Sequence, residues 1–159
     1  MKTISIKQPW AWLIGAGIKP IENRTWKCPE KYIGQRILIH ASSSRYKNPF
    51  DVLTNQQYDS IDQDNRILAN NSLEFGAIIG SVEIVGCVLN HESIWAEQSD
   101  IPRFDEIMDD LKFLGRVVPP KKLIYNWVLA NPILFDKPIT GVKGKLSFWD
   151  YDIENSINI

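Results

Sequence analysis

The sequence predicts a mixed α/β (α+β) fold built on a small, strongly bent β-barrel with peripheral helices. The 159-residue chain has the size of one domain, and its 44% hydrophobic and 23% charged residues are typical of a globular protein. Short β-branched segments alternate with short helical patterns along the chain. The apolar segment 77–89 contains two glycines, which allow the bending that a barrel needs.

The first 41 residues predict three strands and one short helix. Residues 3–6 and 36–41 are apolar and rich in β-branched side chains, as strands are. The helix opens at Gln8-Pro9, because a proline in the first turn loses no hydrogen bond, and it ends at the Gly-Ala-Gly of residues 15–17. Residues 21–26 form the next predicted strand.

The rest of the chain predicts one long strand, one clear helix and several short late strands. Residues 43–76 are a long polar excursion that we expect to contain one helix. The strand at 77–89 follows, and apolar residues at three- and four-residue steps predict an amphipathic helix over 105–114. Since no linker or repeat interrupts the chain, we expect a single domain over 1–159. The late strands are predicted at 123–129, 133–135 and 145–148.

The formal net charge of −1 conceals an uneven distribution along the chain. Residues 1–47 carry a balance of +7, residues 48–111 a balance of −11, and residues 112–159 a balance of +3. Two basic ends around an acidic middle predict a molecule with one phosphate-facing side. A chance distribution of solvated charges is the alternative.

Several classes of protein are excluded or disfavoured by composition. No apolar run reaches the roughly 18 residues that a membrane-spanning helix needs. The start of the chain lacks the apolar core of a secretory signal, so we expect a cytoplasmic protein. The two cysteines, Cys28 and Cys87, have no CxxC partner, which favours packed or free thiols. With only two histidines besides, we expect no metal site and no cofactor.

The segment from Gly17 to Trp26 concentrates the chemistry of the chain. If residues 21–26 are extended, side chains alternate in direction, and Glu22, Arg24 and Trp26 share one face. An acceptor, a planar cation and an aromatic plate suit a nucleobase or nucleoside. The alternative is an edge strand on which Glu22 and Arg24 form a surface ion pair.

These residues, with further segments, resemble the ASCH domain, a branch of the PUA-like superfamily. The family pattern G-x-K-x-x-E-x-R is met by Gly17, Lys19, Glu22 and Arg24. The QPWA opening, the IHAS strand end and the segment 144–149 are similar to the subgroup related to transcription-coactivator ASCH domains.

The resemblance implies a PUA-like β-barrel with a cleft for RNA, DNA or a modified nucleoside. Some small bacterial ASCH proteins are amidohydrolases that deacetylate N4-acetylcytidine with a lysine, a threonine and a glutamate. Others are described as ribonucleases or nucleic-acid binders. Lys19 matches the lysine, and Glu83 on the long strand matches the glutamate, whereas Glu22 occupies the threonine's position.

The charge of Lys19 separates two hypotheses. A neutral Lys19, its pKa lowered by burial near Arg24, could act as base or nucleophile while Glu83 transfers a proton. A charged Lys19 paired with Glu22 would instead bind a phosphate or a carbonyl group. Glu83 could equally be a structural acid that pairs with Arg24.

Aromatic and hydroxyl side chains supply further candidates. Trp26 and Trp149 are the predicted stacking residues, and Ser42 could donate to a phosphate. His40 is more simply explained as a hydrogen-bonded structural residue. Trp10 and Trp12 cannot face the same way on a helix, so one of them belongs to the core. The tryptophans predicted to serve packing are Trp95 and Trp127.

Three functions are compatible with these sequence features. The first is a module that binds nucleic acid, RNA in the first place, or a modified nucleoside. The second is an amidohydrolase that deacylates an N4-acetylcytidine-type nucleoside through Lys19 and Glu83. The third is a protein-interaction domain whose acidic middle segment docks a partner.

Overall fold

A computed structural model describes residues 1–71, 73–120 and 122–154 of the chain. It contains six strands, four helices and two short 3-10 turns at Glu30–Tyr32 and Pro49–Val52 within those residues. The strands are β1 (Lys2–Ile6), β2 (Ile21–Arg24), β3 (Arg36–Ala41), β4 (Ala77–Val88), β5 (Tyr125–Ile139) and β6 (Phe148–Asp150). The helices are α1 (Trp10–Gly15), α2 (Asn55–Asp59), α3 (Gln63–Asn71) and α4 (Phe104–Leu114).

The six strands form one sheet in the order β2-β5-β4-β3-β1-β6. β1 and β3 are parallel, and the other neighbouring strands pair antiparallel. The sheet curls into a half-barrel, which brings its two ends together. Arg24 at the end of β2 donates from Nη2 to the carbonyl oxygen of Ser5 on β1 at 2.8 Å. Trp26 and Phe148, from the opposite ends of the sheet, have ring centroids 5.8 Å apart.

Glycines and bulges on β4 explain the curl. The register between β4 and β5 shifts at three places, and each shift increases the local bend. A Cβ atom on Gly80 would overlap the carbonyl oxygen of Ile133 on β5. The close approach of the two backbones therefore requires glycine at position 80.

In the core, α1 packs against β3, β4 and β5. Ala11, Leu13 and Ile14 of α1 are almost completely buried. Trp127 of β5, with a relative exposure of 1%, is among the largest fully buried side chains. Burial of these apolar side chains stabilises the packing of α1 on the sheet.

The predicted late strands are wrong in their boundaries. β5 runs without a break from Tyr125 to Ile139, and β6 begins at Phe148, three residues after the predicted start at 145. Pro132 and Pro138 suggest interruptions, but β2 pairs with β5 only over Tyr125–Val128. Beyond that point one edge of β5 has no partner strand among the described residues, and proline there costs no ladder hydrogen bond.

The polar excursion is also more ordered than predicted. It contains α2, α3 and one 3-10 turn, whereas we expected one helix. Thr54 and Gln57 form a reciprocal capping box at the start of α2, which a short polar segment does not reveal by hydrophobic periodicity. The predicted helix at 105–114 is confirmed as α4.

Both cysteines are free thiols, although the fold brings them close together. The backbone N–H of Cys28 donates to Cys87 Sγ at 3.4 Å. Burial raises the pKa of the Cys28 thiol to about 11, so this thiol is protonated at neutral pH. Over the described residues, the helices are all too short or too polar to cross a membrane.

Candidate functional site

A cleft of about 320 Å³ opens between the start of β2, the polar excursion and the loop that follows β4. Its volume lies at the lower end of the range for small-molecule sites, about 300–1,000 Å³. Residues from four separate parts of the chain line it, and most of them are polar or aromatic. They are Trp10, Lys19, Glu22, Asn23, Val52, Thr54, Gln57, Ile94, Trp95, Ala96 and Glu97.

Two tryptophans form perpendicular aromatic walls in the cleft. The ring centroids of Trp10 and Trp95 lie 6.4 Å apart at an interplanar angle of 81°. Trp10 is half-buried at the start of α1, while Trp12 faces the other way into the core. A planar ligand can stack on one of the two rings while its edge meets the other.

Lys19 is held in the floor of the cleft and has a relative exposure of only 3%. Its Nζ donates to the carbonyl oxygen of Ile21 and to Glu22 Oε2, the latter at 3.4 Å. The same Nζ lies 5.4 Å from the centroid of the Trp10 ring. The amine is therefore fixed by the turn between α1 and β2, where Gly17 adopts a left-handed conformation with φ of 77°.

Burial lowers the pKa of Lys19 below its ordinary value of 10.5. The main cause is the loss of hydration of the ammonium ion, and the charge of Arg24 acts in the same direction. The carboxylates of Glu22 and Glu97 oppose the shift. The site thus holds an amine that gives up its proton more readily than an exposed lysine does.

Glu22 stands between two cations. Its Oε2 faces Lys19, and its Oε1 lies 2.9 Å from Arg24 Nε. The side chain of Glu22 is 10% exposed, so the carboxylate is largely removed from water. Arg24 in turn reaches Ser5 across the closure of the half-barrel. The carboxylate that faces the cleft is therefore also part of the contact that joins the ends of the sheet.

The loop after β4 is held against the cleft by side-chain amides. Asn23 Nδ2 donates to the carbonyl oxygen of Trp95 at 2.9 Å, and Asn23 Oδ1 accepts from the N–H of Glu97 at 3.0 Å. Asn126, which is fully buried, donates to Asn23 Oδ1 and to the carbonyl oxygen of Glu97. Gln57 donates to Ile94. These bonds keep the Trp95 wall in place.

Of the four residues with a predicted catalytic or pairing role, the structure brings three together and places Glu83 elsewhere. Lys19, Glu22 and Arg24 are in direct contact. Glu83 lies outside the cleft on β4, where it pairs with Arg36 at 2.9 Å and accepts from Asn131 Nδ2 at 2.9 Å. The bond from Asn131 and the charge of Arg36 lower the pKa of Glu83. Its structural partner is thus Arg36, not Arg24.

The predicted stacking and hydroxyl residues also lie outside the cleft. β2 ends at Arg24, two residues earlier than predicted, and Trp26 packs edge-on against Trp127 at a centroid distance of 4.7 Å. Trp149 is buried on β6, 5.6 Å from the His40 ring. Ser42 borders a different cavity, which Ser5 also lines.

His40 is a hydrogen-bonded structural residue, as expected. It is 1% exposed, and its ring nitrogens contact Ser5 Oγ at 3.1 Å and the Val142 carbonyl oxygen at 2.9 Å.

Sequence reasoning missed the aromatic pair and the second carboxylate of the cleft. Trp95, predicted to serve packing, does lie in the buried core with a relative exposure of 5%, and it lines the cleft as well. Glu97 was not considered because residues 90–125 match no pattern. For Trp10 the only signal was its opposition to Trp12 on the helix, which places at least one of the two in the core without saying which. In the part of the chain that the structure describes, no group of three or more potential metal ligands is present.

Comparison with known proteins identifies the family. The model of the ASCH domain matches residues 4–139. The chain belongs to the ASCH domain family. The family pattern at Gly17, Lys19, Glu22 and Arg24 therefore lies within the matched region, as does the whole of the cleft.

Two curated relatives confirm the resemblance to transcription-coactivator ASCH domains. Activating signal cointegrator 1 of Mus musculus is 30% identical over 136 residues, which are 81% of this chain and 21% of that protein. The human protein of the same name is 30% identical over 91 residues, which are 54% of this chain and 14% of that protein. This ASCH chain thus spans about a fifth or less of the length of these relatives.

A solved ASCH structure supports the fold. The crystal structure of ASCH from Zymomonas mobilis superposes with a TM-score of 0.53 at 13% identity, covering 98% of this chain and 90% of that chain. The predicted fold class is thus confirmed as the PUA-like architecture of ASCH domains, a class of RNA-binding or hydrolase-like domains.

Proposed function

We propose that this ASCH domain binds a nucleobase in the cleft, either as part of RNA or as a modified nucleoside. The observation that carries the proposal is the meeting of buried Lys19 and Glu22 with the perpendicular rings of Trp10 and Trp95. Aromatic rings bind any base by stacking, and the polar pair at the floor supplies the selectivity.

The polar floor favours the hydrogen-bonding edge of a base over an apolar ligand. Glu22 offers acceptors that suit an exocyclic amine such as that of cytosine. Lys19, as an ammonium ion, has a third proton beyond those given to Ile21 and Glu22, and this proton can be donated to a ring nitrogen or carbonyl. The hydrogen-bonding edge of a base carries donor and acceptor groups next to each other. Lys19 as donor and Glu22 as acceptor complement such a pair of groups.

The ion pairs of the cleft argue against a phosphate at the same place. Glu22 faces Lys19 and Arg24, and Glu97 lies 3.0 Å from Lys122 Nζ. The cations around the cleft are thus already paired with carboxylates, and a phosphate would have to compete with these carboxylates for them. We therefore assign the base, not the backbone of a nucleic acid, to the cleft.

The proposal is tested by titrating the protein with cytidine, N4-acetylcytidine, adenosine, guanosine, uridine and a short single-stranded RNA. Binding is followed by calorimetry. Trp10→Leu is expected to weaken binding roughly 5- to 140-fold, which corresponds to the ~1–3 kcal/mol of one stacked base. Trp10→Phe should retain most of the affinity.

Trp26→Leu is the matched control, because Trp26 is a half-buried tryptophan outside the cleft. Its affinity should stay within about twofold of the native protein. The proposal fails if no probe binds at low salt, or if Trp10→Leu and Trp26→Leu weaken binding equally while both variants remain folded by circular dichroism.

A second candidate is hydrolysis of an N4-acylated cytidine, favoured by the lowered pKa of Lys19. A neutral amine would give both its protons to Ile21 and Glu22 and turn its lone pair to the ligand. Lys19 would act as base on water, and the acid in the same cleft is Glu97 instead of Glu83.

This candidate predicts release of cytidine and acetate from N4-acetylcytidine, read from the ultraviolet spectrum. Lys19→Arg should abolish turnover, because arginine stays charged and has no lone pair to offer. Glu83→Gln should leave turnover unchanged, whereas Glu97→Gln should reduce it. No turnover by the native protein, or full activity in Lys19→Arg, excludes the hydrolase.

A further inference from the structure

A second cavity, the basic basin, lies where the two ends of the chain meet. It has a volume of about 690 Å³ and is bordered by β1, the end of β3 and the loop between β5 and β6. Because β1 pairs with both β3 and β6, the basic segment 1–47 and the basic segment 112–159 are neighbours in the fold. The basin thus has the polarity that the charge distribution predicted for one side of the molecule.

The loop that carries the basin's lysines is anchored to the sheet at three points. Val142 donates its N–H to the Gly76 carbonyl oxygen at 2.8 Å and accepts from His40 Nε2 at 2.9 Å. Ser5 Oγ donates to the Lys145 carbonyl oxygen at 3.1 Å. A Cβ on Gly144 would lie 2.6 Å from His40 Cε1, so only glycine lets the loop lie flat on this floor.

Two lysines and three serines line the basin beside the apolar Phe75, Val142 and Leu146, and no carboxylate is among its lining residues. Lys143 and Lys145 are exposed, and neither makes an ion pair within 4 Å among the described residues, although Lys145 Nζ lies 5.8 Å from the centroid of the Trp149 ring. Ser42 and Ser43 also border the basin. Arg45 extends the charge, with its guanidinium carbon 4.0 Å from the centroid of the Phe75 ring that borders the basin. Such a surface favours an anion.

The basin and the cleft differ in electrostatic character, since the cations around the cleft are paired with carboxylates and Lys143 and Lys145 form no such pair among the described residues. Arg24 links one residue of each cavity. Arg24 contacts Glu22 of the cleft through Nε and the carbonyl oxygen of Ser5, a basin residue, through Nη2. A nucleotide has an uncharged base and an anionic phosphate. The two parts of one nucleic-acid strand therefore suit these two adjacent cavities.

We propose that the basic basin binds a backbone phosphate of the nucleic-acid strand whose base enters the cleft, with Lys143 and Lys145 as its cationic ligands and Ser42 as a hydroxyl donor. This inference rests on the proposed function for the identity of the strand. The loop that carries Lys143 and Lys145 is already held against the sheet. Binding a phosphate there therefore costs less conformational entropy than ordering a free loop would.

The test compares Lys143→Ala/Lys145→Ala with the native protein by titration of a single-stranded RNA heptamer at several salt concentrations. Each phosphate contact contributes about −0.7 to the slope of log K against log salt for a single strand. Because the proposal assigns one phosphate to the two lysines together, removing both should make the slope less steep by about 0.7 units. The affinity for the free nucleoside should not change.

Lys112→Ala/Lys137→Ala is the matched control, since it removes the same charge from two exposed lysines on α4 and β5. Its slope should equal that of the native protein. Ser42→Ala should weaken heptamer binding without changing the salt slope.

Three results overturn the phosphate site while leaving nucleoside binding in the cleft intact. They are an unchanged slope in Lys143→Ala/Lys145→Ala, an equal change in the control, and binding of the nucleoside without binding of the heptamer. Saturable binding of inorganic phosphate to the basin without heptamer binding likewise overturns the assignment to a nucleic-acid backbone.

Discussion

Lys19 occupies an unusual position for a lysine, because its amine is buried between a carbonyl oxygen, a carboxylate and an aromatic ring. The family pattern identified this residue and its partner Glu22 correctly as neighbours, since both belong to one turn and the strand that follows. Their burial could not be predicted, because the cleft that encloses them is completed by Trp95 and the loop around it, and Trp95 is 72 residues beyond its hydrogen-bond partner Asn23.

The lowered pKa of Lys19 predicts a pH dependence of stability. Between its folded-state pKa and 10.5, the unfolded state binds more protons at this site than the folded state does. The free energy of unfolding contributed by Lys19 therefore rises with pH across that interval and is constant below it. Each unit of pKa shift corresponds to about 1.36 kcal/mol over the whole interval.

The measurement is urea denaturation of the native protein and of Lys19→Met between pH 7 and pH 10.5. The difference in unfolding free energy, native minus variant, should increase with pH. Lys27→Met is the control, because Lys27 is exposed and should give a difference that changes little. A Lys19 difference that falls with rising pH would contradict the burial of a readily deprotonated amine.

At the level of elements, β4 and β5 determine the shape of the molecule. The sequence predicted β4 well because its β-branched density is high and its glycines are visible in the pattern. β5 was divided wrongly, since Pro132 and Pro138 break a strand only when both of its edges are paired. Edge position is a tertiary property that local sequence does not contain.

The two glycines of β4 provide a matched test of the crowded crossing with β5. Gly80→Ala would place a methyl group on the backbone carbonyl of Ile133, which cannot move aside as a side chain can. We expect a loss of about 1–3 kcal/mol in the free energy of unfolding, measured by urea denaturation. In Gly86→Ala the new Cβ would lie 3.6 Å from the Val128 side chain, an ordinary contact, so stability should change little.

Equal stability of the Gly80→Ala and Gly86→Ala variants would show that the two strands do not approach as closely as described at Gly80. A larger loss in Gly86→Ala would mean that the bend lies at the other glycine.

Over the whole molecule, the closure of the half-barrel assembles both cavities. Arg24 and the contact of Trp26 with Phe148 join the ends of the sheet, and Arg24 contacts both Glu22 of the cleft and Ser5 of the basin. The bent sheet was predictable from glycine-containing strands and from the family pattern. The composition of the cleft was not, because Trp10, Gln57 and Glu97 converge from segments far apart in the chain.

The central claim is that the ligand stacks in the cleft on one of the rings of Trp10 and Trp95 while its edge meets the other, and the six tryptophans allow a direct test. Indole N–H signals in ¹H–¹⁵N NMR spectra, assigned by single Trp→Phe substitutions, would be followed while the tightest-binding nucleoside of the panel is added. The signals of Trp10 and Trp95 should shift and saturate together, while those of Trp12 and Trp127 in the core stay in place. Shifts confined to Trp26 or Trp149, or no shift at any indole, would contradict the claim.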